Sequence, residues 1–470
     1  MHMLLRLSLL LLLPGLVSAG EPWTTYRGNP QRTGNGDGKA GPARPNVLWV
    51  HRSSDHFIAS PVPAGQGLFV SGFSGFNVPS VSLLALDGQA PKRVLWSKAP
   101  PVLKLPTVSS PALSEGKLIF GDGMHQTDGA ILRCLRADNG RLVWSLPLPG
   151  ELVHLEGGPT VERGKVYLGA GSGGVLCVDL NRVTLDGKEQ DLPAIQKLLD
   201  QKWEALLRQY EKDKKADPEL AIPPTEDRLP QPAPVVLWKQ GEKKWHVDAP
   251  VVVLDNRVLV CSAFLDKEKM GDRALFSLEA STGKVQWRTP LALNPWGGAS
   301  VQGKLIVVAG SSVGYDLGAL KGARGEIGAY ELETGKQKWK KAVPGGIVSS
   351  LALSSDAAVC TATDGKVRAF ELADGERRWI YDARAPFFAP PAIAGDVVYA
   401  ADLKGVLHAI GLKDGKPLWK LDLAADRTVQ APGQVYGGPI VQGGRLYVAT
   451  CNLGPEFRGK PTAVVCIGER

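Results

Sequence analysis

The 470-residue sequence has few aromatic residues, few cysteines and no apolar run long enough to cross a membrane. Six cysteines in a chain of this length are too few for a disulfide-stapled scaffold. Apolar residues make up 44% of the chain, which excludes a mainly disordered protein because they can form a large core. Glycine shows no three-residue period, which excludes a collagen-like triple helix.

Long runs of one charge are also missing. The 55 basic and 47 acidic residues give a net charge of +8, and both signs are scattered along the chain. No Lys/Arg run is long enough to form a nucleic-acid-binding arm, so nucleic acid is not an expected partner. The chain is instead rich in Gly (55) and Pro (35), a composition that indicates many short strands joined by tight turns.

Residues 1–19 have the pattern of a secretory signal peptide. Arg6 precedes the apolar run Leu7–Leu13, and small residues occupy 17–19, where cleavage would occur. The run is too short for a stable membrane span, and no cysteine follows it that would carry a lipid anchor. We therefore expect cleavage near Ala19 and a periplasmic or secreted protein without a membrane span or lipid anchor. Residues 20–45 are expected to form an extended lead-in.

One pattern recurs along the chain. In five segments a glycine stands four residues before a tryptophan, and Asn, Asp or Thr precedes the glycine. This arrangement is typical of a tight hairpin turn, in which glycine adopts a positive φ without a Cβ clash. The segments are LRADNGRLVW (135–144), LEASTGKVQW (278–287), YELETGKQKW (330–339), FELADGERRW (370–379) and IGLKDGKPLW (410–419).

Weaker copies extend the repeat to eight units. Three further tryptophans follow Val-Leu, and successive tryptophans of the full set are then 40–52 residues apart, except for one interval of 94. A cluster of small residues and proline opens an apolar strand in every unit, and the long interval contains only one such cluster, at Gly158-Pro159. That interval therefore holds one repeat and an insertion. The repeated tryptophans are Trp49, Trp96, Trp144, Trp238, Trp287, Trp339, Trp379 and Trp419.

Four short strands in each unit of 40–50 residues predict an all-β fold, an eight-bladed β-propeller of four-stranded antiparallel blades over residues 46–470. The last unit ends after three strands, and the first begins one strand early, around Trp49. We therefore expect this N-terminal strand to complete the last blade and close the ring, which removes two exposed sheet edges. The tryptophans are expected to dock each blade against its neighbour.

The insertion spans residues 188–234, within the third blade. Apolar residues from Leu192 to Tyr210 follow a helical spacing, Asp191 is a candidate N-cap, and the Pro-rich segment 218–234 returns the chain to the propeller. Two interpretations remain open from the sequence: a helix docked on the propeller's own side, or an arm that binds a partner.

The turn-and-tryptophan segments resemble the pyrroloquinoline-quinone (PQQ)-like propeller repeat over about residues 46–470. The segment from Trp23 to Gly34 (WTTYRGNPQRTG) is also similar to the lead-in of exported proteins of this repeat family. The family includes eight-bladed quinoprotein alcohol dehydrogenases and the non-enzymatic propeller of the outer-membrane assembly machinery. The resemblance implies the fold, and fold does not by itself imply function.

The enzymatic branch of that family implies PQQ with Ca²⁺ or a lanthanide, an Asp base and commonly an adjacent cysteine pair. No Cys-Cys dipeptide and no Cys-x-x-Cys-His haem motif occurs in the sequence. A disulfide between Cys451 and Cys466 would join neighbouring predicted strands, but the sequence does not decide the pairing. The other cysteines lie in apolar strands of separate repeats, where buried thiols are expected: Cys134, Cys177, Cys261 and Cys360.

Loops that enter the first strand of each blade ring one mouth of the central channel. They carry imidazoles, carboxylates and aromatic rings that can bind a metal, a sugar-like ligand or a peptide end. Three histidines on separate blades lack local metal-ligand spacing, so the sequence assigns no metal ligands and no catalytic residues. The candidate binding residues are His56, His154, Glu156, His246, Asp248, Asn294, Trp296, Phe388 and Tyr436.

These features predict an exported, non-catalytic propeller that acts as a binding or scaffold module. We expect a monomer whose partner, an unidentified protein or small ligand, binds at the channel mouth or at the helical insertion. No cofactor is assigned. The alternatives are a PQQ-dependent quinoprotein oxidoreductase, with PQQ and Ca²⁺ as cofactors, and a subunit of an envelope protein assembly complex.

Overall fold

The computed structural model describes residues 25–34, 36–65, 67–75, 77–125 and 127–469. The predicted signal peptide and the first residues of the lead-in lie outside the described residues. Across the described ranges, no helix combines the length and apolar character needed to span a bilayer.

Eight β-sheets form the molecule, and each is one blade of a closed ring. The chain enters the ring through β1 (Asn46–Ser53). Blade 1 consists of β2 (Val62–Ala64), β3 (Gly67–Phe73), β4 (Pro79–Ala85) and β5 (Val94–Lys98). Blade 2 consists of β6 (Ala112–Ser114), β7 (Lys117–Gly121), β8 (Ala130–Arg136) and β9 (Leu142–Leu148).

Blade 3 carries the insertion between its third and fourth main strands. It consists of β10 (Thr160–Glu162), β11 (Lys165–Gly169), β12 (Val175–Leu185), a short extra strand β13 (Lys188–Gln190) and β14 (Ala233–Gln240). Helix α1 (Leu192–Ala216) and a 3₁₀ turn (Glu226–Arg228) lie between β13 and β14. Blade 4 consists of β15 (Val252–Leu254), β16 (Arg257–Leu265), β17 (Met270–Glu279) and β18 (Val285–Pro290).

The second half of the ring repeats the same order. Blade 5 consists of β19 (Ala299–Gln302), β20 (Leu305–Ser311), β21 (Arg324–Glu331) and β22 (Gln337–Pro344), with a 3₁₀ turn at Leu317–Ala319. Blade 6 consists of β23 (Ala352–Leu353), β24 (Ala357–Thr361), β25 (Lys366–Glu371) and β26 (Arg377–Asp382). Blade 7 consists of β27 (Ala392–Ala394), β28 (Val397–Ala401), β29 (Val406–Gly411) and β30 (Pro417–Asp422). Blade 8 contains β31 (Ile440–Gln442), β32 (Arg445–Ala449) and β33 (Thr462–Gly468), with a 3₁₀ turn at Pro455–Phe457.

Ring closure follows the prediction. The strand order of blade 8 is β1-β33-β32-β31, so the first strand of the ring completes its last blade. The two strands are antiparallel, and Trp49 pairs with Cys466 and Val50 with Val465. The eight-bladed propeller of four-stranded antiparallel blades is thus confirmed.

The position of each strand in its blade explains its residue pattern. Second strands such as β3 are buried on both faces, because neighbouring blades cover both sides, and they are therefore apolar almost throughout. The fourth strand lies at the outer edge, and β18 alternates half-buried and exposed residues. The apolar core consequently consists of clusters between adjacent blades, arranged in a ring.

The turn glycine and the tryptophan of the repeat belong to one contact between neighbouring blades. The turn in blade 6 places Gly375 at φ +73°, and a Cβ built there would lie 2.5 Å from the ring of Trp339 in blade 5. Only glycine accommodates both the positive φ and this close approach. The motif therefore encodes blade-to-blade packing as well as a hairpin turn.

Most of the repeat tryptophans also donate a hydrogen bond across this contact. In six of them the indole nitrogen lies 2.8–3.1 Å from a backbone carbonyl oxygen of the next blade. The acceptor directly follows the third strand of that blade, except in blade 3, where it lies within the strand. The six are Trp49, Trp96, Trp144, Trp238, Trp339 and Trp379. Trp419 instead donates to the Pro42 carbonyl of the lead-in, at 2.9 Å. Trp287 has no acceptor for its indole N–H within the described ranges.

The insertion packs on the propeller rather than standing away from it. Ile195 and Leu199 of α1 are buried in an apolar cluster with residues of blades 2 and 3. Glu226, in the 3₁₀ turn, is buried and its Oε1 lies 2.7 Å from Lys98 Nζ of blade 1. Asp191 caps α1 by accepting from the Ala194 N–H at 3.1 Å. These contacts favour the docked-helix interpretation.

The lead-in threads the central channel. The carbonyl oxygens of Gln31, Thr33 and Gly34 accept backbone hydrogen bonds from the first strands of blades 5, 6 and 7. Arg27 and Arg32 are buried, and within the described residues neither forms a salt bridge. Burial lowers the pKa of Arg27 to about 10 and that of Arg32 to about 9. This segment closes the channel below the mouth.

The six cysteines, all of them within the described residues, are buried and free. Cys451 and Cys466 therefore do not form the cross-strand disulfide that the sequence left open. Burial raises the pKa of both thiols to about 12, which keeps them protonated and unreactive at neutral pH.

Candidate functional site at the channel mouth

Two kinds of loop form the mouth of the channel: loops that enter the first strand of a blade, and loops that join its second and third strands. They enclose a cavity of about 600 Å³. Tyr26 of the lead-in is among the residues that line it, so the cavity lies above the segment that closes the channel. The mouth is thus a blind pocket rather than an open pore.

One wall of the cavity holds a cluster of ionisable side chains from three blades. His125 comes from the β7–β8 loop of blade 2, His154 and Glu156 from the loop entering blade 3, and His246 and Asp248 from the loop entering blade 4. The three imidazole rings lie 5.3–5.7 Å apart between centroids. One donor atom from each of the three histidines and from Asp248 lies within 4.8 Å of all the others.

The carboxylates lie close to the histidines. Asp248 Oδ2 is 3.0 Å from His246 Nε2, and its Oδ1 is 3.5 Å from His154 Nε2. Glu156 Oε1 is 3.7 Å from His154 Nδ1 and accepts the backbone N–H of His125 at 2.6 Å. The side chains of His154 and His246 are 0% exposed, whereas Asp248 and Glu156 are 13% and 31% exposed. The carboxylates therefore separate the buried imidazoles from the cavity.

Burial and charge act against each other in this cluster. Burial alone would raise the pKa of Asp248, but the neighbouring His154 and His246 outweigh it and lower that pKa to about 2. Burial alone would lower the pKa of His246, but Asp248 and Glu156 raise it above its usual value. The pKa of Glu156 is raised, chiefly by its burial, with His154 acting in the opposite direction. Asp248 is consequently ionised at neutral pH and makes this wall attractive to cations.

Aromatic side chains form much of the remaining wall. Trp296 from the loop entering blade 5, Tyr315 from the β20–β21 loop and Tyr436 from the loop entering blade 8 line the cavity together with Tyr26. Tyr315 donates its hydroxyl to the Val348 carbonyl at 2.9 Å, which fixes the direction of its ring. The wall therefore offers flat surfaces on which a ring-shaped or planar ligand can stack.

The structure places the nine predicted binding residues in three groups. His154, Glu156, His246 and Asp248 form the cluster, and Trp296 and Tyr436 line the cavity. The other three hold the loops in place. His56 Nδ1 accepts the backbone N–H of Asn452, and Asn294 Oδ1 accepts the N–H groups of Phe264 (backbone) and Arg273 (Nε). Phe388 is fully buried between the rings of Tyr315 and Tyr436.

Sequence reasoning missed several residues of the mouth, among them His125, Tyr315 and Tyr26. It considered only the loops that enter first strands, whereas the loops between second and third strands open on the same face. The antiparallel order of the strands could have revealed these loops. Strands 2 and 4 of a blade end at the same face of the ring, so the loop after strand 2 lies beside the loop that leads from strand 4 to the next blade. Tyr26 belongs to the lead-in, which lies outside the repeats, so the repeat pattern does not predict its position.

The chain matches a family model described as outer membrane protein assembly factor BamB over residues 42–194 and 295–455. A curated relative, the quinohemoprotein alcohol dehydrogenase ADH IIB of Pseudomonas putida, is 33% identical over 115 residues. That match covers 22% of this chain and only 16% of the relative.

Solved structures of the same fold cover nearly all of the chain. BamB from Moraxella catarrhalis has a TM-score of 0.58 at 15% identity, covering 90% of this chain and 98% of its own. A europium-containing methanol dehydrogenase has a TM-score of 0.62 at 14% identity, with coverage of 96% and 98%. The quinohemoprotein alcohol dehydrogenase from Comamonas testosteroni has a TM-score of 0.63 at 14% identity, with coverage of 97% and 82%. At these identities the likeness concerns the fold alone.

Proposed function

Because the chain belongs to the PQQ-like propeller family whose model is described as outer membrane protein assembly factor BamB, we propose that it is an exported, non-catalytic binding module. Its site is the blind cavity at the channel mouth. The observation that carries this proposal is a cavity of about 600 Å³ that combines aromatic walls with the carboxylates of Glu156 and Asp248. Such a pocket suits a sugar-like ligand or the end of a peptide.

The dehydrogenase alternative requires PQQ, and the residues of the mouth do not fit it. PQQ is a polycarboxylate, so its site needs cationic side chains to balance the charge. No Lys or Arg is found among the described residues that line the cavity, and the charged groups there include Glu156, Asp248 and Asp316. Calcium, the metal that accompanies PQQ, takes oxygen ligands, whereas three imidazoles dominate the donor cluster. We therefore derive no redox step for this chain.

The second candidate function is that of a subunit of an envelope protein assembly complex. The description of the matching family model favours it. The match omits residues 195–294, which contain most of α1 and all of blade 4. A partner that recognises only the matched blades would bind this chain with or without the insertion.

Ligand binding can be tested with defined probes. Saturation-transfer NMR would be recorded with maltotriose, chitotriose, a set of tripeptides and PQQ with CaCl₂. We expect saturable binding of a saccharide or peptide probe that is lost in Trp296→Ala. Binding should persist in Trp203→Ala, which removes a partly buried indole from α1 instead. Alcohol-dependent dye reduction after PQQ loading would overturn the proposal, and so would a complete lack of binding by the saccharides and peptides.

A further inference from the structure

The cluster of His125, His154, His246 and Asp248 brings its donor atoms to one point. In a tetrahedral site with metal–nitrogen distances of about 2.0–2.1 Å, neighbouring donors are about 3.3 Å apart. Here the donors lie within 4.8 Å of one another, and the shortest separation between His246 and Asp248 is 3.0 Å. Small side-chain rotations would bring all four donors to coordination distance.

The buried polar atoms of this cluster lack partners. Both ring nitrogens of His154 and of His246, together with Asp248 Oδ1, are buried without a hydrogen bond among the described residues. Although His246 Nε2 and Asp248 Oδ2 are close, they are not aligned for a hydrogen bond. Unpaired buried polar groups are costly, and one cation bound at this point would satisfy several of those in the cluster.

A second buried His–Asp pair in the same chain shows the contrast. His408 in blade 7 is also buried, and its Nδ1 is 3.0 Å from the Tyr381 hydroxyl while its Nε2 is 3.1 Å from Asp402 Oδ2. Both of its ring nitrogens are therefore satisfied by the protein itself. The cluster at the mouth differs because its unpaired nitrogens converge on one point.

We propose that His125, His154, His246 and Asp248 bind a single zinc-type divalent cation in the wall of the mouth cavity. Three imidazoles and one carboxylate are a donor set suited to Zn²⁺ or a similar transition metal, whereas Mg²⁺ and Ca²⁺ take oxygen ligands. The bound cation would join the loops of blades 2, 3 and 4. The donors that face the cavity, His125 and Asp248, place the metal beside the space available to a ligand.

The surroundings hold the donors in place. The His246 backbone N–H donates to Ser262 Oγ at 3.0 Å, and its carbonyl oxygen accepts the Ala263 N–H at 2.8 Å. His154 packs so closely on Gly171 that a Cβ there would lie 2.9 Å from its Nε2. Glu156 acts as a positioning residue, since it lies beside His154 and accepts the backbone N–H of His125.

This site shares His125 and Asp248 with the cavity of the proposed ligand-binding function, but a metal titration without saccharide or peptide tests it separately. His246 and Asp248 lie in residues 195–294, which the family model does not match. If no saccharide or peptide binds but one equivalent of metal does, the proposed function fails while the metal site stands.

The experiment uses the whole chain, purified without a histidine tag and stripped with EDTA. Zn²⁺ is titrated by calorimetry, and Co²⁺ is titrated by visible spectroscopy, which gives intense bands for four-coordinate nitrogen and oxygen ligation. We expect one equivalent of either metal to bind. Glu156→Gln should weaken Zn²⁺ binding about 10- to 100-fold, as loss of an outer-shell partner does elsewhere. His125→Gln should weaken it at least as much and should change the Co²⁺ spectrum.

His51→Gln is the matched control, because His51 is a partly buried histidine on β1, outside the mouth cluster. It should bind both metals as the wild type does. His246 is fully buried, so His246→Gln could prevent folding. His125 is a partly exposed loop residue whose replacement leaves the blades intact, so His125→Gln tests metal binding in a folded protein. The proposal is overturned if the wild type shows no saturable binding of one equivalent, or if His125→Gln retains wild-type affinity and spectrum.

Discussion

Trp144 of blade 2 donates its indole N–H to the carbonyl oxygen of Leu180 in blade 3, at 3.0 Å. This bond joins residues 36 positions apart and lies in the buried gap between two sheets. Its counterpart from Trp287 is missing, because that indole nitrogen is buried without an acceptor in the described chain. The same residue type therefore occupies equivalent positions with and without the interblade bond.

Replacing these two tryptophans compares a fully buried indole that makes the interblade bond with a half-buried indole that does not. Trp144→Phe leaves the Leu180 carbonyl unpaired, and we expect a loss of about 1–3 kcal/mol in the free energy of unfolding. Trp287→Phe removes a donor that already lacks a partner, so its loss should be about 1 kcal/mol or less. Urea unfolding followed by far-ultraviolet circular dichroism measures both. Equal losses would show that the bond contributes nothing beyond the ring.

Arg32 is predicted to hold the channel closed. Its guanidinium donates to the carbonyl oxygens of Gly158 and Pro159 at 3.0 and 3.1 Å, and it also contacts Thr160. Arg32→Ala would leave these buried acceptors unpaired, so we expect a loss of roughly 3–5 kcal/mol, since each bond to a charged donor contributes about 1.5–3 kcal/mol. Relief of the buried charge offsets only part of this loss.

Arg44→Ala is the control for that change, because Arg44 is an exposed arginine of the same lead-in. Its free energy of unfolding should stay within about 0.5 kcal/mol of the wild type. Urea midpoints of the two variants, measured side by side, provide the comparison. A lead-in that contributes no stability would make the two variants indistinguishable.

The repeat explains how much of the fold the sequence predicts. Each Gly–Trp pair reports a contact between neighbouring blades, as between Gly375 and Trp339, so counting the pairs also counts the blades. The long interval before Trp238 and the early strand at Trp49 could be interpreted correctly because both interrupt a regular series. Local pattern and tertiary contact coincide in this fold, which makes the prediction reliable.

The mouth was predicted only in part because its residues do not recur at regular intervals along the chain. His125 lies in a loop between second and third strands, and these loops differ in length and sequence from blade to blade. Arg27 and Arg32 contact carbonyl groups of residues 126–324 positions away, which no local pattern encodes. The convergence of three histidines also depends on the curvature of the ring, so only the folded propeller brings them together.

The insertion can be removed without opening blade 3. Thr184 of β12 pairs with Ala233 of β14, so the two strands already meet as a hairpin would. Replacing residues 186–231 with Asn-Gly should therefore give a folded propeller. The loss of buried Ile195, Leu199 and Leu229 should lower the free energy of unfolding by about 3 kcal/mol. This is less than the full contribution of their burial, because the shortened chain no longer loses conformational entropy by ordering the insertion.

Thermal unfolding and the Zn²⁺ titration measure this shortened protein. A docked insertion gives a lower melting temperature with unchanged metal binding, because α1 supplies none of the four donor side chains of the mouth cluster. An unchanged melting temperature would instead favour an arm that is free to bind a partner.

Asp122 is predicted to make stability fall as the pH rises from about 4 to 6. Its side chain is fully buried, and burial raises its pKa to about 6, although Arg133 and the Ile131 N–H act in the opposite direction. The unfolded carboxyl has a pKa of about 3.9. Between these values the native state keeps a proton that the unfolded state has lost, so stability decreases with pH, by at most about 3 kcal/mol.

Asp122→Asn tests whether stability decreases with rising pH because of Asp122. The amide does not titrate, and Arg133 stays charged throughout this pH range. The stability of the wild type relative to the variant should fall between pH 4 and 6 and stay level above pH 7. Urea unfolding at unit pH steps, with EDTA present to exclude metal binding at the mouth, measures the difference. Contributions from Asp248 and His246 are common to both proteins and cancel in that comparison. Parallel stability curves would mean that folding does not raise the pKa of Asp122, because its ion pair with Arg133, at 3.3 Å, offsets its burial.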